Sequence, residues 1–331
     1  MDFNHGGGEG FRVREIRREG ELEPYGAAIL TELGAYVRSI EILPFEPEKE
    51  LKRLLSRPRG GVFVFLEHDR MSACLIMKSM TWDSKAYGMK MSSIRLLFAE
   101  GGGSGARRLK TDVLEFAKKN SAGEGVKYIL FPVSGDDDTG AGAASEAGFE
   151  PIAGMVNLRH SLETAPPRPA PAGVKIRGLK LRETAEIEDI TSEAFVYDRY
   201  NVDPRLPARG TDRIHRDWAR QCCRFCEHVL VAERDGAVAG FCALSVVNPE
   251  RPRGIVQLIA VRPGHQRAGI GGLLMTGALK RLRTQAGEAF VRTEAINEPA
   301  LNLYRSCGFA EWTRFTYYRT LIEPGSSSRL E

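Results

Sequence analysis

No long apolar stretch, few cysteines and little net charge mark this sequence, and each shortage removes a class of function. No run approaches the roughly 20 apolar residues that span a bilayer, so no membrane partner is expected. Residues 1–10 are polar and glycine-rich, without the apolar core of a secretory signal, and read as a disordered tail. The six cysteines are thinly scattered over 331 residues. That argues against a disulfide framework and for reduced thiols in the cytoplasm. Cys222, Cys223 and Cys226 form a cluster, but no second ligand pair stands at zinc-ribbon spacing. Cys222 and Cys226 are one helical turn apart, as two core-facing residues would be, and no metal is expected. The net charge is only +4, and no basic stripe is interleaved with aromatics. Nucleic acid is therefore not an expected partner, whereas a small anionic ligand suits the mild positive balance.

The length is comfortable for two domains. Residues 164–173, Thr-Ala-Pro-Pro-Arg-Pro-Ala-Pro-Ala-Gly, form a proline-rich linker that should be extended and semi-rigid. It separates a domain at 11–163 from one at 174–323, with a further tail at 324–331. The two halves are alike in order and spacing. In the second, a strand ending at Val261 precedes an amphipathic helix with Ile270, Leu273, Leu274, Ala278 and Leu282 on one side. A strand near 290–293, a short helix, Gly308-Phe309 and a last strand follow. In the first, a strand at 94–98 precedes a helix with Leu109, Val113, Phe116 and Ala117 on one face. A strand at 128–131, a short helix, Gly148-Phe149 and a last strand follow.

Gln266-Arg267-Ala268-Gly269-Ile270-Gly271-Gly272 joins the apolar strand 255–261 to its helix. Glycines there let a backbone approach a diphosphate, and the free N–H groups of a first helical turn point at the anion. Arg267 adds a full positive charge, and His265 borders the loop. Some thirty residues on, Asn297 reads as a helix N-cap with Pro299 in the first turn, and Gly308 ends that helix. Asn297 and Tyr304 are seven apart and share one helix face.

The pair Q-x-x-G-x-G and N-x-x-A-x-x-x-Y-x-x-x-G-F resembles the GNAT acetyltransferases over residues 174–322. The resemblance implies an α/β (α+β) fold of two tandem GNAT-like domains, each a mixed, mostly antiparallel sheet flanked by helices. It implies acetyl-CoA as cosubstrate, with the diphosphate and pantetheine on Gln266 to Gly272. It implies a strand splayed from its neighbour, so that Ile259, Ala260 and Val261 run along the pantetheine arm. Asn297 would lie near that arm and Tyr304 beside the thioester sulfur. Tyr304 is the candidate general acid, because its hydroxyl is a proton donor within the motif. The base stays open between Glu294, Asp203, His215 and a water relay, with Glu294 at the end of a strand beside the cleft.

The first half departs from the pattern where chemistry would be done. Its loop, Glu100-Gly101-Gly102-Gly103-Ser104-Gly105-Ala106, has no Q-x-x-G-x-G register, and Glu100 would repel a phosphate. Its short helix has neither Asn nor Tyr. This half reads as degenerate for the donor, serving either as packing support or as a shaper of the acceptor site.

In a GNAT domain the acceptor faces the segment after the first strand, here about 194–218. Arg199 and Arg205 suit a diphosphate, and Tyr200 and Trp218 suit a base or sugar; Asp203 adds an acceptor. R-Y-N-x-D-P-R-x-P resembles the S-R-F-x-x-D-P pattern of the TDP-fucosamine acetyltransferases, and Trp82-Asp83-Ser84-Lys85-Ala86-Tyr87-Gly88 resembles their W-D-S-x-x-F-G segment. Asp198 stands where Ser is usual, and Asn201 departs from a common His. The resemblance implies an amino-sugar nucleotide as the small-molecule amine acceptor. Alternatives are an aminoglycoside, a polyamine, a protein N-terminus, or a non-catalytic acyl-CoA sensor. A homodimer is left open as the assembly.

Overall fold

The computed structural model describes residues 2–3, 11–42, 46–55, 60–163, 168–248 and 250–323. Most of both expected tails and the first four linker residues lie outside that range. Asp2–Phe3, within the expected tail, is a two-residue strand.

The strands are β1 (Asp2–Phe3), β2 (Phe11–Ile16), β3 (Gly60–Glu67), β4 (Arg70–Ser79), β5 (Met91–Ala99), β6 (Tyr128–Ser134), β7 (Glu150–His160), β8 (Val174–Gly178), β9 (His228–Arg234), β10 (Ala237–Val247), β11 (Arg253–Val261), β12 (Glu288–Glu294) and β13 (Ala310–Leu321). The helices are α1 (Gly26–Ile40), α2 (Pro47–Leu55), α3 (Thr81–Tyr87), α4 (Gly103–Gly123), α5 (Asp138–Glu146), α6 (Thr184–Ala194), α7 (Arg199–Val202), α8 (Ala208–Phe225), α9 (Ile270–Leu282) and α10 (Glu298–Ser306).

The chain forms two compact units, and their boundary does not follow the linker. One unit joins residues up to Ile152 with Arg314–Glu331; the other is Ala153–Thr313 with Ile42–Pro44. The last strand of each half is exchanged. β13 pairs antiparallel with β6, from Phe315↔Ser134 to Leu321↔Tyr128. β7 pairs antiparallel with β12, from Ala289↔His160 to Glu294↔Met155. The expected domains 11–163 and 174–323 thus each give up their closing strand. The reason is that strand alternation specifies which face is buried but not which neighbour is paired.

The first unit has sheet order β1-β2-β3-β4-β5-β6-β13, antiparallel except for β5 and β6. Alternate residues of β3 serve its two faces, as a two-residue period requires. Val62 and Val64 meet Ile29, Leu33 and Val37 of α1 and Leu51 and Leu54 of α2. Phe63 and Phe65 meet Val113, Phe116 and Ala117 of α4 on the other side.

The second unit has order β7-β12-β11-β10-β9-β8, antiparallel except for β11 and β12. Phe241 and Ala243 of β10 pack on Ile187 and Ile190 of α6 and Ala219 and Cys222 of α8. Cys242 and Leu244 pack on Leu274, Met275 and Ala278 of α9 and on Leu301 and Tyr304 of α10. Each such buried aliphatic side chain contributes about 1.5–3 kcal/mol. Each unit is therefore a mixed sheet between two helical layers, as the sequence motifs implied.

Candidate functional site

The ladder between β11 and β12 is parallel and short. It runs only through Arg253↔Glu288, Gly254↔Ala289 and Ile255↔Phe290. Each strand stays paired on its other side, β11 to β10 and β12 to β7. From Val256 onward β11 therefore shows β12 a row of backbone groups outside that ladder, and Ile259, Ala260 and Val261 lie along it. A register shift against β10 skips Gln257, since Ala243 faces Leu258 and Leu244 faces Val256. A bulge of this kind bends a strand and re-aims it.

The loop Gln266–Gly272 stands at the end of that opening. Gln266 Nε2 donates to Val261 O at 3.1 Å, tying the loop back to β11. Arg267 and Gly269 both have positive φ, 59° and 78°. Gly269 is the N-cap of α9 and offers no side chain to cap it, and the first turn holds no acidic residue. The first intrahelical bond is Leu273 N–H to Gly269 O. The N–H groups of Ile270, Gly271 and Gly272 are therefore without intrahelical acceptors. A Cβ on Gly271 would stand 3.3 Å from Leu303 Cδ2. Ala268 is half-buried against the α9 core. His265 Nδ1 is buried with no hydrogen-bond partner among the described residues.

Asn297 caps α10, its Oδ1 accepting from Ala300 N–H at 3.3 Å. That bond leaves the side-chain amide hydrogens for a ligand. Gly308, at φ 94°, ends the helix. Tyr304 is 4% exposed. Its ring packs 5.9 Å from Phe309, and burial together with the Cys242 and Glu294 acids pushes its hydroxyl well above the usual phenol range. Glu294, at the end of β12, is half-buried. Desolvation raises its carboxyl, the Asp198 carboxylate adds to that, and the Arg199 guanidinium opposes it. The structure thus brings Glu294, Tyr304, Asp198 and Arg199 into one electrostatic neighbourhood.

The expected acceptor segment folds as α7 and α8. Asp198 caps α7, its Oδ1 accepting from Tyr200 N–H at 2.8 Å and Asn201 N–H at 3.2 Å. The buried His215 holds Nε2 at 2.8 Å from Asp198 Oδ2, close but off the line of a hydrogen bond. Arg199 lies over the Tyr200 ring, 4.2 Å from its centroid, and also donates to its hydroxyl. Arg205 is exposed. Asp203 is only 1% exposed and accepts the Arg205 backbone N–H at 3.0 Å, so its carboxylate serves the turn after α7. Trp218 is half-buried, edge-on to Phe195 at 6.0 Å. In the other unit, Trp82 and Tyr87 belong to α3, with Trp82 exposed.

Sequence reasoning passed over Arg168, the single cation among the linker prolines. Its Nη2 donates to Ser306 O at 2.7 Å and Ser306 Oγ at 2.8 Å, at the end of α10. Its side chain lies against Gly272.

The first unit repeats the briefly paired parallel strands. β5 and β6 pair only from Met91↔Tyr128 to Ser93↔Leu130, and the β4/β5 register skips Arg95. Here, however, the Tyr36 hydroxyl donates to Pro132 O, and Arg95 pairs with Glu41 at 3.2 Å. Pro132 stands where β12 has Arg292 and has no N–H to offer a ligand. Among the described residues no group of three His, Cys, Asp or Glu is arranged to hold a metal ion, and no helix is long and apolar enough to cross a membrane.

Comparison with known proteins agrees with this geometry. Residues 185–309 match the Acetyltransferase (GNAT) family profile. The spore coat polysaccharide biosynthesis protein SpsD of Bacillus subtilis is 25% identical over 267 residues, covering 80% of this chain and 88% of that protein. A mycothiol acetyltransferase of Tsukamurella paurometabola is 29% identical over 193 residues, covering 56% of this chain and 65% of its own length. Among solved structures, a GCN5-related N-acetyltransferase from Sphaerobacter thermophilus superposes with TM-score 0.64 at 14% identity, over 95% of this chain and 96% of that one. A tandem GNAT protein from the clavulanic acid biosynthesis pathway gives TM-score 0.61 at 14% identity, over 96% and 100%. Over residues 185–309 the chain thus matches the GNAT acetyltransferases, and its fold is that of tandem GNAT proteins.

Proposed function

We propose that the chain transfers acetyl from acetyl-CoA to a primary amine of a sugar carried on a nucleotide, by direct attack in a ternary complex. The observation that carries this reading is the opening between the parallel strands β11 and β12, with an uncapped helix N-terminus in the turn that follows β11, and Glu294 at the end of β12 in the electrostatic neighbourhood of the buried Tyr304. The residues fit the donor. Positive-φ backbone at Arg267 and Gly269, free N–H groups in the first turn of α9 and a side-chain-free position at Gly271 suit a diphosphate cradle. The row of backbone groups on Ile259, Ala260 and Val261 suits an extended amide-bearing arm added like a strand.

Acetyl-CoA supplies an activated acyl group as its thioester. Glu294 takes the proton that the amine loses; its raised carboxyl is a stronger base than an exposed one. A backbone N–H of the β11 edge stabilises the developing oxyanion. Tyr304 hydrogen-bonds the departing sulfur. Complete transfer from a phenol (about 10) to a thiolate (about 8.5) runs uphill, and burial steepens it, so its contribution is a charge-assisted hydrogen bond. The thiolate leaves hydrogen-bonded to Tyr304 and takes its proton from water, and Glu294 returns the amine's proton to water, so that net nitrogen loses one proton and sulfur gains one. The first unit, with Tyr36 on Pro132 O, binds no donor in this reading.

A sugar acceptor is supported by the relative named for spore coat polysaccharide biosynthesis and by the exposed Arg205 in the turn after α7. The test is a panel of amino-sugar nucleotides, aminoglycosides, polyamines and peptides, assayed side by side for CoA release. Amino-sugar nucleotides should turn over best. Efficient acetylation of peptides or polyamines, with none of amino-sugar nucleotides, overturns the acceptor reading. No CoA release with any amine, despite donor binding, favours an acyl-CoA sensor.

A further inference from the structure

The linker reaches the phosphate loop. A Cβ built on Gly272 would fall 2.9 Å from Arg168 Cδ, 3.1 Å from Nη1 and 3.2 Å from Nε. Arg168 therefore occupies the space that a side chain at position 272 would fill. Pro171 Cγ stands 3.5 Å from where a Cβ on Gly269 would be, a second point of cover on the same loop. The side chain is anchored at its far end, where Nη2 donates to Ser306 O and Oγ. That end is well placed, since a cation belongs at the C-terminus of α10. The near end is not balanced. Nε is buried under protein atoms, and the guanidinium also acts on the Cys307 thiol, favouring its ionised form against burial. The first turn of α9 holds no acidic residue and no side-chain cap, and its three leading N–H groups carry partial positive charge. A guanidinium has thus been brought against the positive end of a helix that holds no acid in its first turn. Like-signed groups in one place are stable together when an anion bridges them.

We propose that Arg168 is a ligand for the phosphates of the acyl-CoA donor, so that the segment joining the two halves forms part of the donor site. This rests on the reading of the α9 loop as that site. Arg168 supplies the side-chain charge that Gly272 cannot, on a helix whose glycines keep the backbone open to the diphosphate. Nη1 is used by neither Ser306 bond, and it lies beside Gly272 in the first turn.

The test is calorimetric titration of the full chain with CoA and with 3′-dephospho-CoA, for wild type, R168A, R168Q and R168K, each checked by thermal unfolding. Loss of one charged hydrogen-bond partner predicts that R168A and R168Q bind CoA about ten- to a hundred-fold more weakly. R168K, which keeps the charge, should lose less, and the affinity of R168A should fall less steeply with added salt than that of wild type. An equal loss with 3′-dephospho-CoA assigns Arg168 to the diphosphate; a loss confined to CoA assigns it to the 3′-phosphate. Wild-type affinity for both ligands in a folded R168A or R168Q overturns the proposal. So does an equal loss in R168A and R168K with no difference in salt dependence, because a merely structural tie to Ser306 behaves that way. If wild type binds neither ligand, the donor-site reading itself fails, a result distinct from an indifferent Arg168.

Discussion

Replacing Tyr304 with phenylalanine separates packing from chemistry. The side chain is 4% exposed and its ring packs on Phe309 within the α9–α10 core. Phenylalanine keeps that ring and those contacts, so stability should change by about 1 kcal/mol or less, or roughly 2–4 °C for a unit of this size. The donor affinity should hold, since the diphosphate cradle is built from Gln266 to Gly272. The loss should fall on turnover. Burial raises the hydroxyl far above the thiol range, so it keeps its proton and acts as a hydrogen-bond donor to the developing thiolate. Removing one preorganised donor to developing charge typically costs about 10²–10³-fold in kcat, or roughly 2.7–4 kcal/mol of barrier. Complete general acid catalysis reaches about 10⁴-fold, so a loss near that figure would mean that the proton does transfer. The assay is single-turnover CoA release at saturating donor, with the CoA dissociation constant measured in parallel. Turnover within a factor of three of wild type, with chemistry rate-limiting, would remove Tyr304 from the mechanism.

Glu294→Gln should flatten the basic-going rise of kcat/KM with pH, because the carboxyl held above its usual range is the group whose ionisation turns the base on. A rise unchanged in the variant would acquit Glu294. The same raised carboxyl means the folded state holds a proton that the unfolded state has already lost. Stability should therefore fall as pH climbs from the usual carboxylate range through the folded value, and E294Q should not show that fall in a melting series. Gly271→Glu should abolish CoA binding by filling the cradle with a negative charge, while an acid suits the first helical turn and Leu303 Cδ2, 3.3 Å from the new Cβ, has to give slightly; normal affinity in a folded variant would mean the loop is not the phosphate site. Gly269→Glu is a poorer probe, because φ of 78° strains any side chain there. Calorimetry should find one CoA per chain, and two equivalent sites would restore the first unit as a donor site. Arg205→Ala should raise the acceptor KM roughly ten- to a hundred-fold and leave that of acetyl-CoA alone. Arg199→Ala reports less cleanly, since Arg199 also braces Tyr200. An unchanged acceptor KM in R205A would take the exposed arginine out of acceptor binding.

Much of the local geometry of the candidate site was readable because its signals are local. The turn from Gln266 to Gly272, the Asn297 cap and the Gly308 stop are each written in a few consecutive residues, and each appears where the sequence puts it. The repeat of two halves was legible for the same reason. What sequence could not supply is set by distance through space. The parting of β11 from β12 after Ile255 depends on three-dimensional register. Asp203 looks in sequence like a solvent-facing acceptor contact, yet the fold buries it in a turn. Tyr36 gives no sign in sequence that it will meet Pro132 almost a hundred residues on. Arg168 reads as one charge in a proline run until Gly272 is seen beneath it.

The exchanged closing strands bear on how this protein is made and how it can be cut. β13 must travel back over about 180 residues of chain to reach β6, a separation that raises contact order and slows the last step of assembly. During synthesis the N-terminal half emerges with one sheet edge bare, and that edge is covered only once β13 has been made. A bare edge of this kind is a template for another chain. Severing the protein at its linker therefore does not yield two folded halves. It yields two incomplete sheets, each carrying the strand the other needs, which should recombine when mixed and aggregate when kept apart.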